Sequence, residues 1–223
     1  MPHGYVGAVN FFVVRVWLPD RPGALGQVAG RIGGVHGDVL GIEILERGGG
    51  SAVDELVVSV PDDVTLQVLV AAIAQVDGVA VEDVRPIDPN RPDHGMAALE
   101  SAAVLAETSA DERLERFCDQ LRELVDGTWA VAMGADPGDD TGLITLVERG
   151  LPPDTAWLAA FLEGSRHLPA GTHGESSPGD VVWVHLDAAG VSVAAGRSDR
   201  PFHARERQQV ALLGRLADAL LRR

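Results

Sequence analysis

The sequence contains no lysine; all 18 of its basic residues are arginine. That absence removes several chemistries. A P-loop needs a lysine on the phosphates, a protein kinase needs one on its nucleotide strand, and Schiff-base catalysis needs a lysine amine. Cysteine is nearly missing as well. The lone Cys118 cannot build a disulfide framework, which agrees with a reducing compartment. No apolar run approaches the ~20 residues that cross a bilayer, and Met1 to Tyr5 lacks the basic start of a secretory signal. A cytoplasmic protein without a membrane partner is expected. Positive charge is scarce, with 18 basic against 33 acidic residues and a net charge of −15. Residues 1–87 carry 5 arginines against 11 acidic residues, and residues 88–223 carry 13 against 22. Neither half hides a basic domain, so direct nucleic-acid binding is not expected.

What is present is ordinary globular composition: 46% hydrophobic and 23% charged residues in a chain of 223. That suffices for one large domain or two small ones. The stretch from Pro86 to Gly95 holds Pro86, Pro89 and Pro92. Proline fixes φ and removes a donor, so regular structure should stop there. Residues 88–95 are therefore expected to link a domain at 10–87 to one at 96–223.

The first domain reads as six segments. Phe11 to Leu18 is β-branched and apolar, a strand. Pro22 to about His36 has Leu25, Val28, Ala29 and Ile32 on one helical face, with Pro22 in the first turn and Asp20 placed to cap. Val39 to Leu45 alternates, with Leu40, Ile42 and Ile44 on one side and Glu43 on the other. Val53 to Val60 alternates with Leu56, Val58 and Val60 inward. Asp62 or Asp63 would cap a second helix bearing Leu66, Leu69, Val70, Ile73 and Val76. Val79 to Val84 is the last strand. This βαββαβ order is the ferredoxin-like plan, an antiparallel four-stranded sheet with both helices on one face.

The second half reads as helices at about Met96–Glu107 and after Ser109, where Ser109 and Glu112 offer a capping box. Phe117, Cys118, Leu121 and Val125 fall on the stripe of that second helix, beginning at Leu114. Strands follow at Trp129–Ala132 and Leu143–Val147, a helix near Asp154–Glu163, a loop at 164–180, a hairpin of Val181–Leu186 with Val191–Ala194, and a C-terminal helix. The fold class expected is α+β, a βαββαβ domain followed by an α/β domain.

The sharpest local signal is Leu18 to Leu25, where a strand gives way to a helix. A helix N-terminus favours a carboxylate, Gly23 permits close approach to the backbone, and Asp20 can accept from an ammonium. Together they match an amino acid or similar small zwitterion. The same residues equally suit a plain cap and a plain packing glycine. This stretch, followed by Gly37 to Ile44, resembles an ACT domain over residues 10–87. The resemblance implies an amino-acid site between paired domains. Its residues would be Leu18, Asp20, Pro22, Gly23, Ala24 and Leu25, with Asp38, Val39 and Leu40 from the partner subunit, in a homodimer. Serine-sensing members favour Asn where Asp38 stands, and the extra carboxylate here favours a cationic group. Pro201 to Glu206, leading into the last helix, gives residues 96–223 a resemblance to a GAF domain.

No catalytic set, cofactor site or metal site is legible. His167, His173, His185 and His203 fit no compact zinc spacing and read as solvated loop residues. Asp136 to Asp140 lacks the spacing of a calcium loop. Cys118 reads as buried. The protein is thus expected to be a ligand-responsive regulator and not an enzyme. Two alternatives stand beside that reading: an enzyme whose second half is catalytic under ACT control, or an interaction scaffold that binds no ligand.

Overall fold

The computed structural model describes residues 9–62, 64–136, 138–166 and 178–222. His167 and His173 lie outside them, as does Asp63. The chain divides into two compact units, Met1–Arg91 and Pro92–Arg223.

In the first unit the order is β1 (Val9–Pro19), α1 (Ala24–Gly34), β2 (Asp38–Gly48), β3 (Ser51–Pro61), α2 (Leu66–Ile73) and β4 (Ala80–Pro86). The sheet runs β2-β3-β1-β4, antiparallel throughout. Alternation along β1 sends Val14, Val16 and Leu18 to one face, where they meet Ala24, Val28 and Ile32 of α1, and Leu69 and Ile73 of α2. Both helices therefore cover the same face, as the βαββαβ reading requires.

Several local expectations are corrected. Helix α1 starts at Ala24 because Gly23, with φ 87°, is left-handed and stands as its N-cap. Pro22 is outside the helix, and Asp20 caps nothing; its backbone N–H instead donates to Gly50 O at 3.0 Å. Helix α2 is capped by Thr65, whose hydroxyl accepts from Val68 N at 3.4 Å, and not by Asp62. Leu40, Ile42 and Ile44 are 53%, 49% and 39% exposed. Strand β2 is a sheet edge, and these side chains stay open on it. The strand also carries bulges at Leu40 and Leu45.

The second unit holds α3 (His94–Glu107), α4 (Arg113–Leu124), β5 (Trp129–Asp136), β6 (Asp139–Gly150), α5 (Thr155–Ser165), β7 (Val181–Leu186), β8 (Val191–Gly196) and α6 (Ala204–Leu221). Its antiparallel sheet has the order β6-β5-β8-β7. Ala130, Ala132, Val182, Val184 and Ala195 face a core with Leu105, Phe117, Leu121, Val210 and Leu213, so α3, α4 and α6 lie on that side. Trp129, Val131, Met133 and Trp183 face Leu158 and Leu162 of α5 on the other. The capping box does not form. Glu112 is itself the N-cap of α4, and Ser109 Oγ donates to its carboxylate at 2.8 Å. Helix α3 begins two residues earlier than expected, capped by Asp93, whose carboxylate accepts from Met96 N at 2.9 Å.

Gly196 tests this packing. A Cβ there would sit 2.4 Å from the Trp129 ring, which is itself buried between sheet and α5. Gly196→Ala should destabilise the second unit by about 1–3 kcal/mol through overpacking. Urea unfolding of the variant against the parent checks it.

Candidate functional site

The turn from Pro19 to Leu25 is built by three constraints. Arg21 N donates to Pro19 O at 2.8 Å, Ala24 N to Arg21 O at 3.3 Å, and the Asp20–Gly50 bond ties the loop to the β2–β3 hairpin. The first helical turn leaves the N–H groups of Leu25 and Gly26 without intrahelical acceptors. Asp20, Pro22 and Gly23 are exposed around them, and Leu25 is half-buried. Leu18 and Ala24 are buried members of the core, so their side chains brace the site from beneath. Ala24 N is already engaged, which leaves Leu25 and Gly26 as the donors facing outward.

Asp38, Val39 and Leu40 lie at the other end of the sheet. Asp38 pairs with Ser59, whereas the hairpin beside Asp20 closes at Gly48↔Ser51. Eight residues of strand separate those positions, roughly 26 Å at about 3.3 Å each. Within one chain the two halves of the expected site are not brought together. Asp38 and Leu40 are exposed and Val39 is half-buried.

One residue near the turn escaped the sequence reading. Asp54 of β3 is only 3% exposed, and its Oδ1 has no hydrogen-bond partner among the described residues. Strand register places it opposite Val16 on one side and Ile44 on the other. It therefore shares the helix-covered face with Ala52 and Leu56. Ala52 lies opposite both Leu18 and Arg47, so Arg47 is the diagonal neighbour of Asp54. Burial raises the Asp54 pKa above its ordinary 3.8, Arg47 pulls it down and Asp20 pushes it up. The signal was available: Asp54 stands in phase with Leu56, Val58 and Val60, which marks an acid on an inward register.

The opposite face of this sheet carries a different charge arrangement. Arg15 Nε reaches Glu55 Oε2 at 2.5 Å with both side chains buried, Arg85 approaches the same oxygen at 3.6 Å, and Arg85 bonds Asp83 at 2.6 Å. Alternation predicts an apolar surface there through Phe11, Val13 and Trp17. Val13 is buried, but Trp17 is exposed and its indole N–H donates to Glu82 at 2.6 Å. Mutual neutralisation, with a shared acceptor, makes this ionic set a structural pairing.

In the second unit Cys118 is fully buried and its thiol is pushed up to about 12 by desolvation. It is held as a neutral thiol, unsuited to nucleophilic attack. His185 and His203 are not solvated loop residues. His203 is buried at the start of α6, its N–H donating to Glu206 at 2.9 Å. His185 sits in β7 within a chain of hydrogen bonds. Ser165 Oγ donates to Leu162 O at 2.9 Å, so it accepts from His185 Nε2 at 3.1 Å. The other ring nitrogen, Nδ1, then accepts from Ser192 Oγ at 2.9 Å, and Arg166 donates to that hydroxyl at 3.3 Å. The chain fixes the neutral ring with its proton on Nε2 and fastens the end of α5 to the sheet. No group of acidic, His or Cys side chains suited to a metal occurs among the described residues.

Residues 12–78 match the family model of the ACT domain. That span contains the Asp20–Leu25 turn, Asp38–Leu40 and Asp54. No curated protein matches the chain. Parts of it are similar to solved structures at low superposition scores. An unknown protein from Galdieria sulphuraria shares 17% identity over 44% of this chain and 65% of its own, with a TM-score of 0.33. This chain therefore spans less than two thirds of that relative. An uncharacterized protein from Thermotoga maritima shares 23% identity over 36% of this chain and 100% of its own, TM-score 0.29. A formyltetrahydrofolate deformylase from Pseudomonas putida shares 16% identity over 48% of this chain and 39% of its own, TM-score 0.30. The ACT match supports a regulatory, ligand-binding role for the first unit.

The His185 chain makes a pH prediction. Burial first, then Arg166, lower the His185 pKa from 6.5, while Asp187 and the Ser165 contact oppose them. The neutral ring is the native form, so the unfolded state takes up the proton first. Stability should be unaffected by His185 above that ordinary value. It should fall as pH drops below 6.5 and level off once the folded ring is also protonated. Denaturant midpoints across mildly acidic pH, compared with His185→Gln, check it; the variant should lose that component of the slope.

Proposed function

We propose that the protein is a cytoplasmic, non-catalytic regulator that senses an amino acid through the ACT domain at residues 10–87. The observation that carries this is the turn from Asp20 to Leu25, exposed from Asp20 to Gly23. It sets two outward N–H groups beside a carboxylate, charge-matched to a zwitterion. The second unit is assigned as a GAF-like companion module, in keeping with its antiparallel sheet and helices on both faces.

The site is completed by a second copy. Strand β2 is an edge carrying an uncovered apolar row, which calls for a partner. A two-fold axis through Glu43, the middle of Asp38–Gly48, would oppose Ile42 to Ile44. It would also place Asp38 of the partner subunit beside Gly48, next to the hairpin that holds Asp20. Antiparallel pairing about that axis removes both the open edge and the roughly 26 Å separation within one chain.

A thermal-shift screen of the common amino acids tests the reading. A ligand at about 100 times its dissociation constant should add about 2.7 kcal/mol. Failure of every amino acid at millimolar concentration would remove the sensor reading. Asp20→Ala should abolish binding while changing stability by no more than about 0.5 kcal/mol, since Asp20 is exposed and caps no helix. Ile42→Arg should convert the dimer to monomer in light scattering and weaken ligand binding with it.

A further inference from the structure

Asp54 poses a problem that the fold does not resolve. A buried carboxylate is ordinarily paired, because an unpaired one loses hydration without recompense. Asp54 is 3% exposed, and its Oδ1 is buried without a hydrogen-bond partner among the described residues. It is a member of the inward phase of β3 where Leu56, Val58 and Val60 are all core. An apolar residue would fit that phase, so the acid stands there against packing.

Its surroundings show what would satisfy it. Along the sheet it lies beside Ile44, which is 39% exposed on the edge strand. Arg47 is its diagonal neighbour through Ala52, and Asp20 is held to the same hairpin by its bond to Gly50. Ala24, in the first turn of α1, shares a core cluster with Leu18, the cross-strand partner of Ala52. A cation-accepting group and anion-accepting groups therefore occupy one end of one sheet face. Gly23 leaves this end open, with nothing within 4 Å of where its Cβ would be.

We propose that Asp54 receives the ammonium group of an amino-acid ligand whose carboxylate sits at Arg47 and the first-turn N–H groups of α1. The inference rests on the amino-acid-sensing reading of the same turn and adds the residue that selects for a free amine. Asp20 supplies the second carboxylate to the same ammonium from the mouth of the site, and Arg47 turns from a neighbour of Asp54 into the ligand's anion partner. Burial raises the Asp54 pKa above its ordinary 3.8, and an ammonium beside the carboxylate would lower it again.

The test uses the full chain. The common L-amino acids are screened by thermal shift, and the one giving the largest shift is taken to calorimetry with its N-acetyl derivative. Wild type should bind the free amino acid and reject the acetylated form. Asp54→Asn should weaken the free amino acid by about tenfold or more and narrow the discrimination against the acetylated form. Without ligand, Asp54→Asn and Asp54→Leu should melt at or above the wild-type temperature at neutral pH. Lower melting of both would show a structural partner for Asp54 and overturn the inference. Wild-type binding that Asp54→Asn leaves intact also overturns it, while leaving the sensor reading standing. No binding by wild type removes both.

Discussion

The register of β3 governs the first unit. It pairs with β1 from Val9↔Pro61 to Pro19↔Ser51 and with β2 on its other side. Strand side chains alternate with a period of two, so a slip of one residue would exchange the two faces entirely. In the register adopted, Ala52, Leu56, Val58 and Val60 lie under both helices, and Glu55 lies on the far face against Arg15. A slipped strand would bring Glu55 into the helix core and strand Arg15 without its acceptor. The buried ion pair therefore contributes more to the choice of register than to net stability, since paired buried charges roughly offset their own desolvation. The same register places Asp54 on the helix-covered face.

The second unit meets the same constraint with more cover. Its sheet has helices on both faces, so β5, β7 and β8 are apolar in both phases and their alternation is nearly silent. Specificity comes from polar fasteners. Arg197 donates to Val125 O at 2.8 Å and to Glu206 at 2.8 Å, with its guanidinium 3.8 Å above the Phe202 ring. Arg207 donates to Val181 O at 2.8 Å. These planar, multi-donor groups collect carbonyls that strands and helices leave unused. A chain without lysine still has suitable side chains for this task.

The proposed site on the first unit lies where order is least enforced by packing. The Asp20–Leu25 turn is held by a few backbone hydrogen bonds and a left-handed glycine. The edge strand beside it keeps Ile42 and Ile44 uncovered, and the carboxylate behind it has an unsatisfied oxygen. Each feature lowers the stability of an isolated chain. Binding of a ligand or a second copy would relieve all three, the thermodynamic requirement for a site that reports occupancy.

The sequence by itself determined the six-element order of the first unit and most of the core stripes of its helices. Hydrophobic periodicity is a local property that survives without knowledge of neighbours. It also marked the Asp20–Gly23 turn, because strand end, proline and glycine are adjacent in the chain. It misjudged caps at Asp20, Asp62 and Ser109, since several nearby residues can supply a capping oxygen and only backbone geometry chooses. Only the tertiary structure decided that Leu40, Ile42 and Ile44 are uncovered, because an edge strand and a central strand share one pattern. Only it joined Arg15 to Glu55, forty residues apart, linked His185 to Ser165 and Ser192, and set Asp54 beside Arg47 behind the turn. Pairing across strands is a relation between distant segments, and no local period encodes it.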